Sequence, residues 1–130
     1  MLDKAFNLFQ TTDDIEKGGK MRFLSRPEEL VLLAVWKLKA NAYCVPIRGF
    51  LNKVTGKDWS FGSVYDPLNR LEKKGLLESY ESGPTKERGG RSKRMYRLTS
   101  AGLLELGEIR TLQQAVWSEV PELIPETQKA

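Results

Sequence analysis

Basic side chains are concentrated in one short segment of the sequence, residues 84–97. That segment holds six basic residues and a single acid, Glu87, so its net charge is +5. The whole chain has a formal net charge of +4, which leaves −1 for all other residues together. Cations packed this closely around Gly89 and Gly90 suit a contact with the phosphates of a polyanion. The six basic residues are Lys86, Arg88, Arg91, Lys93, Arg94 and Arg97.

The chain lacks the residues that several kinds of enzyme catalysis require. The chain contains no histidine, which excludes serine–histidine and cysteine–histidine catalytic pairs and histidine-based zinc sites. The single cysteine, Cys44, lies between Tyr43 and Val45, which favours a small buried hydrophobe over a redox or ligand-sensing group. No glycine-rich phosphate loop follows a predicted strand. We therefore expect a protein without enzymatic activity, without a cofactor and without a metal ion.

Length and hydropathy narrow the class of protein further. The 130 residues, of which 40% are hydrophobic, suit one globular domain with one or two accessory helices. No uninterrupted apolar stretch approaches the roughly 18 residues that span a bilayer. Residues 1–20 lack the apolar core and cleavage site of a secretion signal. These features predict a cytoplasmic protein that has no membrane partner.

Helix signals define the elements that would position the basic segment. Ser25 and Glu28 form a capping box, and the apolar run 30–36 predicts that this first helix is central to the core. Pro46 opens a predicted second helix, and Gly56 ends it. The predicted buried stripe of the second helix consists of Ile47, Phe50, Leu51 and Val54.

A third helix is predicted from its cap at Ser60 to about residue 74, where Gly75 ends it. Pro67 removes one backbone hydrogen bond and should bend or loosen the first turns. Spacing at about 100° per residue gives this helix a buried face of Phe61, Val64, Leu68 and Leu71. The opposite face collects Ser63, Asp66, Arg70 and Lys73, with Gly62 and Asn69 at its edge.

Residues 76–80 and 95–98 are predicted to be the strands of a β-hairpin with a long polar tip. Thr99 then caps a fourth helix that runs from Ser100 to about residue 118. Its apolar residues cover more than one face, so we expect it to form the interface of a homodimer. The predicted dimer residues are Leu103, Leu106, Ile109, Leu112, Val116 and Trp117.

The order helix, helix, helix, strand, strand, helix predicts a mainly α fold with a small β-hairpin, a winged helix-turn-helix preceded by a short N-terminal helix. In such a fold helix 60–74 would enter the major groove of double-stranded DNA, and residues 83–94 would form the wing on the backbone or minor groove. The predicted domains are an N-terminal helical appendage (1–20), a winged-helix DNA-binding domain (25–99), a C-terminal dimerisation helix (100–120) and an extended tail (121–130). The predicted DNA contacts are Ser60, Ser63, Asp66, Asn69, Arg70, Lys73, Lys86, Arg88, Arg91, Lys93 and Arg94.

Three stretches of the chain have sequences typical of one known family of proteins. Residues 63–77, with the sequence SVYDPLNRLEKKGLL, resemble the recognition helix of that family. The string ELVLLA at residues 29–34 resembles its first helix. The wing is matched by RGGR at residues 88–91 and KRMYRLTSAG at 93–102. Together the three stretches resemble the PadR-like family of transcriptional regulators, and the resemblance covers about residues 26–107.

The resemblance implies a homodimeric, repressor-type regulator, and it implies that Tyr65 touches the DNA backbone. Many members of the family carry a substantial C-terminal effector or dimerisation domain, whereas one helix and a tail follow the wing here. The controlling signal is therefore left open. Trp36, Trp59 and Trp117 either line a site for a small planar apolar effector at the dimer interface or serve as core and interface residues.

An alternative function is a winged-helix protein-interaction module that does not read DNA. Such a module would use the fourth helix and the chain termini as its contact surface. The charge of +5 in residues 84–97 argues against it, because a protein partner does not require that cluster.

Overall fold

The computed structural model of the chain describes residues 23–83 and 92–123. The chain divides into two compact units, and the larger one is Arg22–Gly107. Residues 108–123 belong to the second unit. Within the described ranges, no helix is long and apolar enough to cross a membrane.

Helix α1 (Arg26–Leu38) begins with the predicted capping box. The Ser25 Oγ accepts from the Glu28 N–H at 3.3 Å, and a Glu28 carboxylate oxygen accepts from the Ser25 N–H at 2.8 Å. A 3-10 turn (Lys39–Asn41) follows the helix. The predicted central position in the core holds for only part of the apolar run, since Leu33 and Trp36 are each 42% exposed. The helix buries only the face that the other elements of its unit cover, and that face consists of Glu28, Val31, Leu32, Ala34 and Val35.

Helix α2 (Cys44–Thr55) begins two residues before Pro46 and ends at Gly56, whose φ of 70° is in the left-handed region that glycine adopts without strain. Ile47 and Leu51 are fully buried, as predicted. The prediction for Val54 is wrong, because this side chain is 56% exposed. Trp59, in the turn after the helix, packs against the core cluster, and its indole Nε1 donates to the Thr55 Oγ1 at 3.0 Å.

Helix α3 (Phe61–Lys73) is capped by Ser60, whose Oγ accepts from the Ser63 N–H at 3.1 Å. The helix is continuous through Pro67, and the proline ring is buried. Three residues of the predicted buried face, Val64, Leu68 and Leu71, are fully buried. The fourth, Phe61, is 48% exposed, because it is the first residue of the helix and lies beyond the packed core cluster.

The two strands are β1 (Leu77–Glu81) and β2 (Arg94–Leu98), which pair antiparallel with Leu77 opposite Leu98 and Glu81 opposite Arg94. β1 begins and ends one residue later than predicted, and β2 begins one residue earlier. Leu77 and Tyr96, which lie on the same face of the sheet, join the core cluster, and Met95 on the opposite face is buried as well. Most of the predicted hairpin tip, residues 84–91, lies outside the described part of the chain.

Helix α4 (Ser100–Trp117) starts against the turn between α3 and β1. The Thr99 hydroxyl donates to the Gly75 carbonyl at 2.6 Å and accepts from the Gly102 N–H at 3.0 Å, so Thr99 caps the helix as predicted. Four helices and a two-stranded antiparallel hairpin make the described chain mainly helical, which confirms the predicted fold class. The predicted N-terminal helix (1–20) and residues 124–130 of the predicted tail lie outside the described residues.

Candidate nucleic-acid interface

The turn between α2 and α3 is held by polar side chains of α2. The Arg48 Nε donates to the Trp59 carbonyl, and its terminal nitrogen donates to the Asp58 carboxylate at 3.0 Å. The Asn52 side-chain oxygen accepts from the Trp59 N–H at 2.7 Å. These bonds set where α3 begins relative to α2. These bonds were not predicted from the sequence, although the spacing of Arg48, Asn52 and Thr55 indicates polar side chains along one side of α2.

The face of α3 opposite the core is polar and exposed. Its predicted DNA contacts are all exposed: Ser60, Ser63, Asp66, Asn69 and Lys73. At the start of the helix the Ser63 hydroxyl donates to the Ser60 carbonyl at 2.7 Å, so this serine pair supports the first turn. The longer polar side chains therefore lie in the middle and at the end of the helix, where they can reach hydrogen-bonding groups of a ligand.

A buried carboxylate ties the end of α3 to the start of α1. Glu28 is only 3% exposed, and one of its oxygens lies 3.1 Å from the Arg70 Nε and 2.9 Å from the Lys74 Nζ. Arg70, a predicted DNA contact, is thus held by one of its five N–H donors while about half of its side chain stays exposed. The sequence indicated the capping role of Glu28 but not these two partners, which are 42 and 46 residues away.

The ionisation of Glu28 depends on these neighbours. Burial acts to raise its pKa, but the Ser25 N–H, Lys74 and Arg70 together outweigh burial and lower the pKa below its ordinary value of 4.5. The adjacent Glu29 behaves in the opposite way. Burial raises the pKa of Glu29, and the charge of Arg26 only partly counters that effect.

Glu28→Gln is expected to lower the free energy of unfolding by about 2 kcal/mol at pH 7, because the buried group loses two charge-assisted partners. A folded-state pKa below that of the unfolded chain stabilises the fold above about pH 4.5, and the contribution is lost as pH falls through the folded value. The difference between wild type and variant should therefore shrink below pH 4.5. Urea unfolding at a series of pH values measures it.

Glu29→Gln is the control for Glu28→Gln. The Glu29 carboxyl has a raised pKa, so its ionisation should not stabilise the fold above pH 4.5. A Glu28→Gln deficit that stays constant from pH 7 to pH 3 would contradict the assigned role of the carboxylate.

The base of the predicted wing is attached to both helices of the α2–α3 pair. The Lys93 Nζ lies 3.4 Å from the Tyr43 hydroxyl and 4.6 Å from the centre of its ring. Arg94 donates to a Glu72 carboxylate oxygen at 2.8 Å, and the other oxygen of that carboxylate accepts from the Ser79 hydroxyl at 2.7 Å. The three remaining predicted wing contacts, Lys86, Arg88 and Arg91, lie outside the described residues.

Cys44 and two tyrosines meet between α2, α3 and the sheet. Burial raises the pKa of the Cys44 thiol, although its hydrogen bond with Tyr65 acts in the opposite direction. This agrees with a small buried residue. Tyr65 keeps 42% of its surface exposed, and burial raises its pKa too. The Tyr96 hydroxyl is buried and has no hydrogen-bond partner among the residues described.

The predicted dimer residues all lie along α4. Leu103, Val116 and Trp117 are 52–66% exposed, and Leu106, Ile109 and Leu112 are half-buried. An interface role for these side chains stays a prediction.

The three tryptophans have different surroundings. Trp36 is 42% exposed under the Lys39 ammonium, 3.6 Å from the centre of its ring. Trp59 is engaged in the turn after α2, and Trp117 is 58% exposed. A site for a planar apolar effector therefore stays a sequence-based prediction, for which Trp59 is the least available of the three. Over the described ranges no group of acidic or cysteine side chains could hold a metal ion.

Comparison with known proteins gives a consistent result. The model of the transcriptional regulator PadR-like family matches residues 32–108. A PadR-like transcriptional regulator from Bacillus cereus strain ATCC 14579 is 26% identical, with a TM-score of 0.58 over 68% of this chain and 82% of that chain. A PadR family regulator from Clostridium difficile R20291 is 25% identical, with a TM-score of 0.56 over 71% and 90%. RosR of H. salinarum, 20% identical, shares the fold with a TM-score of 0.59 over 78% and 84%. No curated protein matches the chain.

Proposed function

Because the chain belongs to the PadR-like family of transcriptional regulators, we propose that it is a homodimeric repressor that reads a specific DNA sequence. The family match over residues 32–108 confirms the resemblance to the PadR-like family. Members of the family are DNA-binding regulators of transcription and not enzymes, in agreement with the prediction from the sequence. The sequence specificity, the repression and the dimer are the finer points of the proposal.

The observation that carries the proposal is the exposed polar face of α3, which lies between two restrained cations. Arg70 and Glu72 are two positions apart, so their side chains leave the helix about 160° from each other. Arg70 is held by Glu28 on one side, and Glu72 holds Arg94 on the other. Phosphates border the major groove on both sides in the same way, so we expect Arg70 and Arg94 to contact the two backbones when α3 lies in the groove.

The side chains along that face are of the types that read base edges. Ser60 and Ser63 are small and allow the start of α3 to approach the bases closely. Asp66 can accept from the amino group of cytosine, and Asn69 can pair with adenine. Lys73 can contact guanine or a phosphate. Tyr65, on the side of α3 that faces Arg94, would contact the backbone.

The dimer is proposed to form through α4, which exposes Leu103, Val116 and Trp117. A twofold dimer presents two copies of α3 to the same side of the duplex, so the DNA sites should repeat with the same symmetry.

Selection of bound duplexes from a random DNA pool tests the proposal. We expect enrichment of a pseudo-palindromic site whose half-sites lie about 10 base pairs, or a multiple of that, apart. No enrichment would favour the protein-interaction module, and an asymmetric site would contradict the dimer. Transcription of a reporter from a promoter that carries the selected site should fall when the protein is supplied, and a rise would contradict repression.

Binding to the selected duplex should depend steeply on salt. Each phosphate neutralised by a Lys or Arg releases counterions and contributes about −0.9 to the slope of log affinity against log salt concentration. With Arg70, Lys93, Arg94 and the cations of residues 84–91 in contact, we expect a slope near −5 for each protomer. Titration of labelled duplex between about 50 and 200 mM salt measures it. A flat dependence would contradict the proposed contacts.

A further inference from the structure

Phe61 does not behave as its position in the sequence predicts. It shares a helix face with Val64 and Leu68, both of which are fully buried, yet 48% of Phe61 is exposed. It is also absent from the side chains that pack against the core cluster. A large aromatic side chain is thus left at the surface, at the first position of α3.

The ring of Phe61 is held in place from one side. The Arg48 guanidinium carbon lies 4.8 Å from the centre of the ring, within the range of a cation–π contact. Arg48 itself is restrained by its bonds to Asp58 and the Trp59 carbonyl, in the turn just before the helix. The aromatic ring is therefore restrained before any ligand binds, which lowers the entropy lost on binding.

The residues around Phe61 leave room for a ligand. The residues next to it in sequence, Ser60, Gly62 and Ser63, are small, whereas Tyr65, one helical turn further on, is 42% exposed. A Cβ added at Gly62 would meet only the Ser60 Oγ, at 3.9 Å, among the atoms of the described chain. The exposed part of the Phe61 ring is therefore accessible to a ligand that approaches the start of α3.

One group in the major groove has the chemistry to match an exposed phenyl ring. The floor of the groove consists of hydrogen-bond donors and acceptors, except for the C5 methyl group of thymine. A phenyl ring placed over a donor or acceptor would remove water without replacing its hydrogen bond, which costs free energy. Against the thymine methyl, both surfaces are apolar and their contact is favourable.

We propose that Phe61 reads thymine by packing against its 5-methyl group at one position of each half-site. The inference rests on the proposed function, in which α3 enters the major groove with its N-terminal end near the bases. The cations on both sides of α3, Arg70 and Arg94, favour DNA over a protein as the partner of this ring. The exposed polar positions Asp66, Asn69 and Lys73 then read the neighbouring base pairs.

Replacing thymine by deoxyuridine tests the contact, because deoxyuridine lacks only the methyl group and pairs in the same way. In the duplex selected from the random pool, each thymine is replaced in turn and the dissociation constant of the full chain is measured. At the thymine that Phe61 contacts, we expect binding to weaken about fourfold in each half-site, the effect of burying one methyl group. Thymines elsewhere should tolerate the replacement.

Phe61→Ala assigns the effect to this residue. At the same thymine, the variant should bind the thymine and deoxyuridine duplexes equally, because the surface that contacts the methyl group is gone. Val54→Ala is the matched control. Val54 is an apolar residue in the last turn of α2 and is 56% exposed. Its variant should keep the full difference in affinity between the thymine and deoxyuridine duplexes. Circular dichroism verifies that both variants are folded.

The outcomes separate the two levels of the proposal. If the random pool yields no enriched duplex, the proposed function fails. If a duplex is enriched and bound but Phe61→Ala keeps the wild-type response to deoxyuridine at every thymine, only the role of Phe61 is overturned. The inference is also overturned if no thymine in the site responds to the loss of its methyl group, since Phe61 then contacts something other than a thymine methyl, such as sugar or a protein.

Discussion

Gly102→Ala is expected to lower the free energy of unfolding by about 3 kcal/mol, the largest stability effect that we predict for one added methyl group. A Cβ at residue 102 would overlap the carbonyl oxygen of Leu76 and lie 3.1 Å from its carbonyl carbon. Both are backbone atoms, so a side-chain rotation cannot relieve the overlap. Either α4 or the turn before β1 must move. Urea unfolding monitored by circular dichroism measures the change.

The same movement would disrupt the hydrogen bonds that join the two elements. The Thr99 N–H donates to the Leu76 carbonyl at 3.1 Å, and the Thr99 hydroxyl donates to the Gly75 carbonyl. Thr99 directly follows β2, so the strain reaches the hairpin that carries the wing. We therefore expect Gly102→Ala to weaken DNA binding as well as stability.

Gly107→Ala is the matched control for Gly102→Ala. Gly107 lies in the same helix, and a Cβ added there would meet no described atom within 4 Å. Alanine has the higher helix propensity, so this variant should gain about 0.5–1 kcal/mol. Equal stability of the two alanine variants would contradict the close packing of α4 against Leu76.

Replacing Arg88, Arg91, Lys93 and Arg94 together by alanine is expected to weaken duplex binding roughly 10²- to 10³-fold for each bound protomer near physiological salt. Each lost phosphate contact removes a contribution of about −0.9 to the salt slope, which corresponds to about fivefold in affinity near 0.15 M salt. The slope itself should become shallower by about 3.6 for each protomer. Removal of Arg94 also leaves the Glu72 carboxylate without that partner close to the DNA, which adds repulsion.

Titration of the selected duplex at several salt concentrations measures both quantities. Lys37→Ala, which removes an exposed cation from α1 outside the proposed interface, should change the affinity less than twofold. The variant with all four substitutions is also expected to dimerise like wild type, because none of the substitutions lies on α4, the proposed dimer helix. If it binds DNA like wild type, the wing does not contribute the electrostatic part of the affinity.

The features predicted correctly from the sequence depend on interactions between residues close in the chain. The caps Ser25 and Ser60 bond to N–H groups three residues away, and Gly56 ends α2 through its own backbone conformation. β1 is displaced by one residue from its predicted bounds, and β2 begins one residue earlier than predicted, because pairing across the hairpin sets the register. The family was likewise evident from contiguous strings of residues and needed no structure.

The environment of individual side chains depends on elements that are distant in sequence and was decided by their packing. Helical spacing placed Val54 and Phe61 on buried faces, but the ends of α2 and α3 extend beyond the surface that the other elements cover. The sequence predicts Glu28 as part of the capping box. Its buried ion pairs with Arg70 and Lys74 form only when α1 and α3 pack together. Helical periodicity predicts the direction in which a side chain points, but whether another element covers that side chain depends on the tertiary structure.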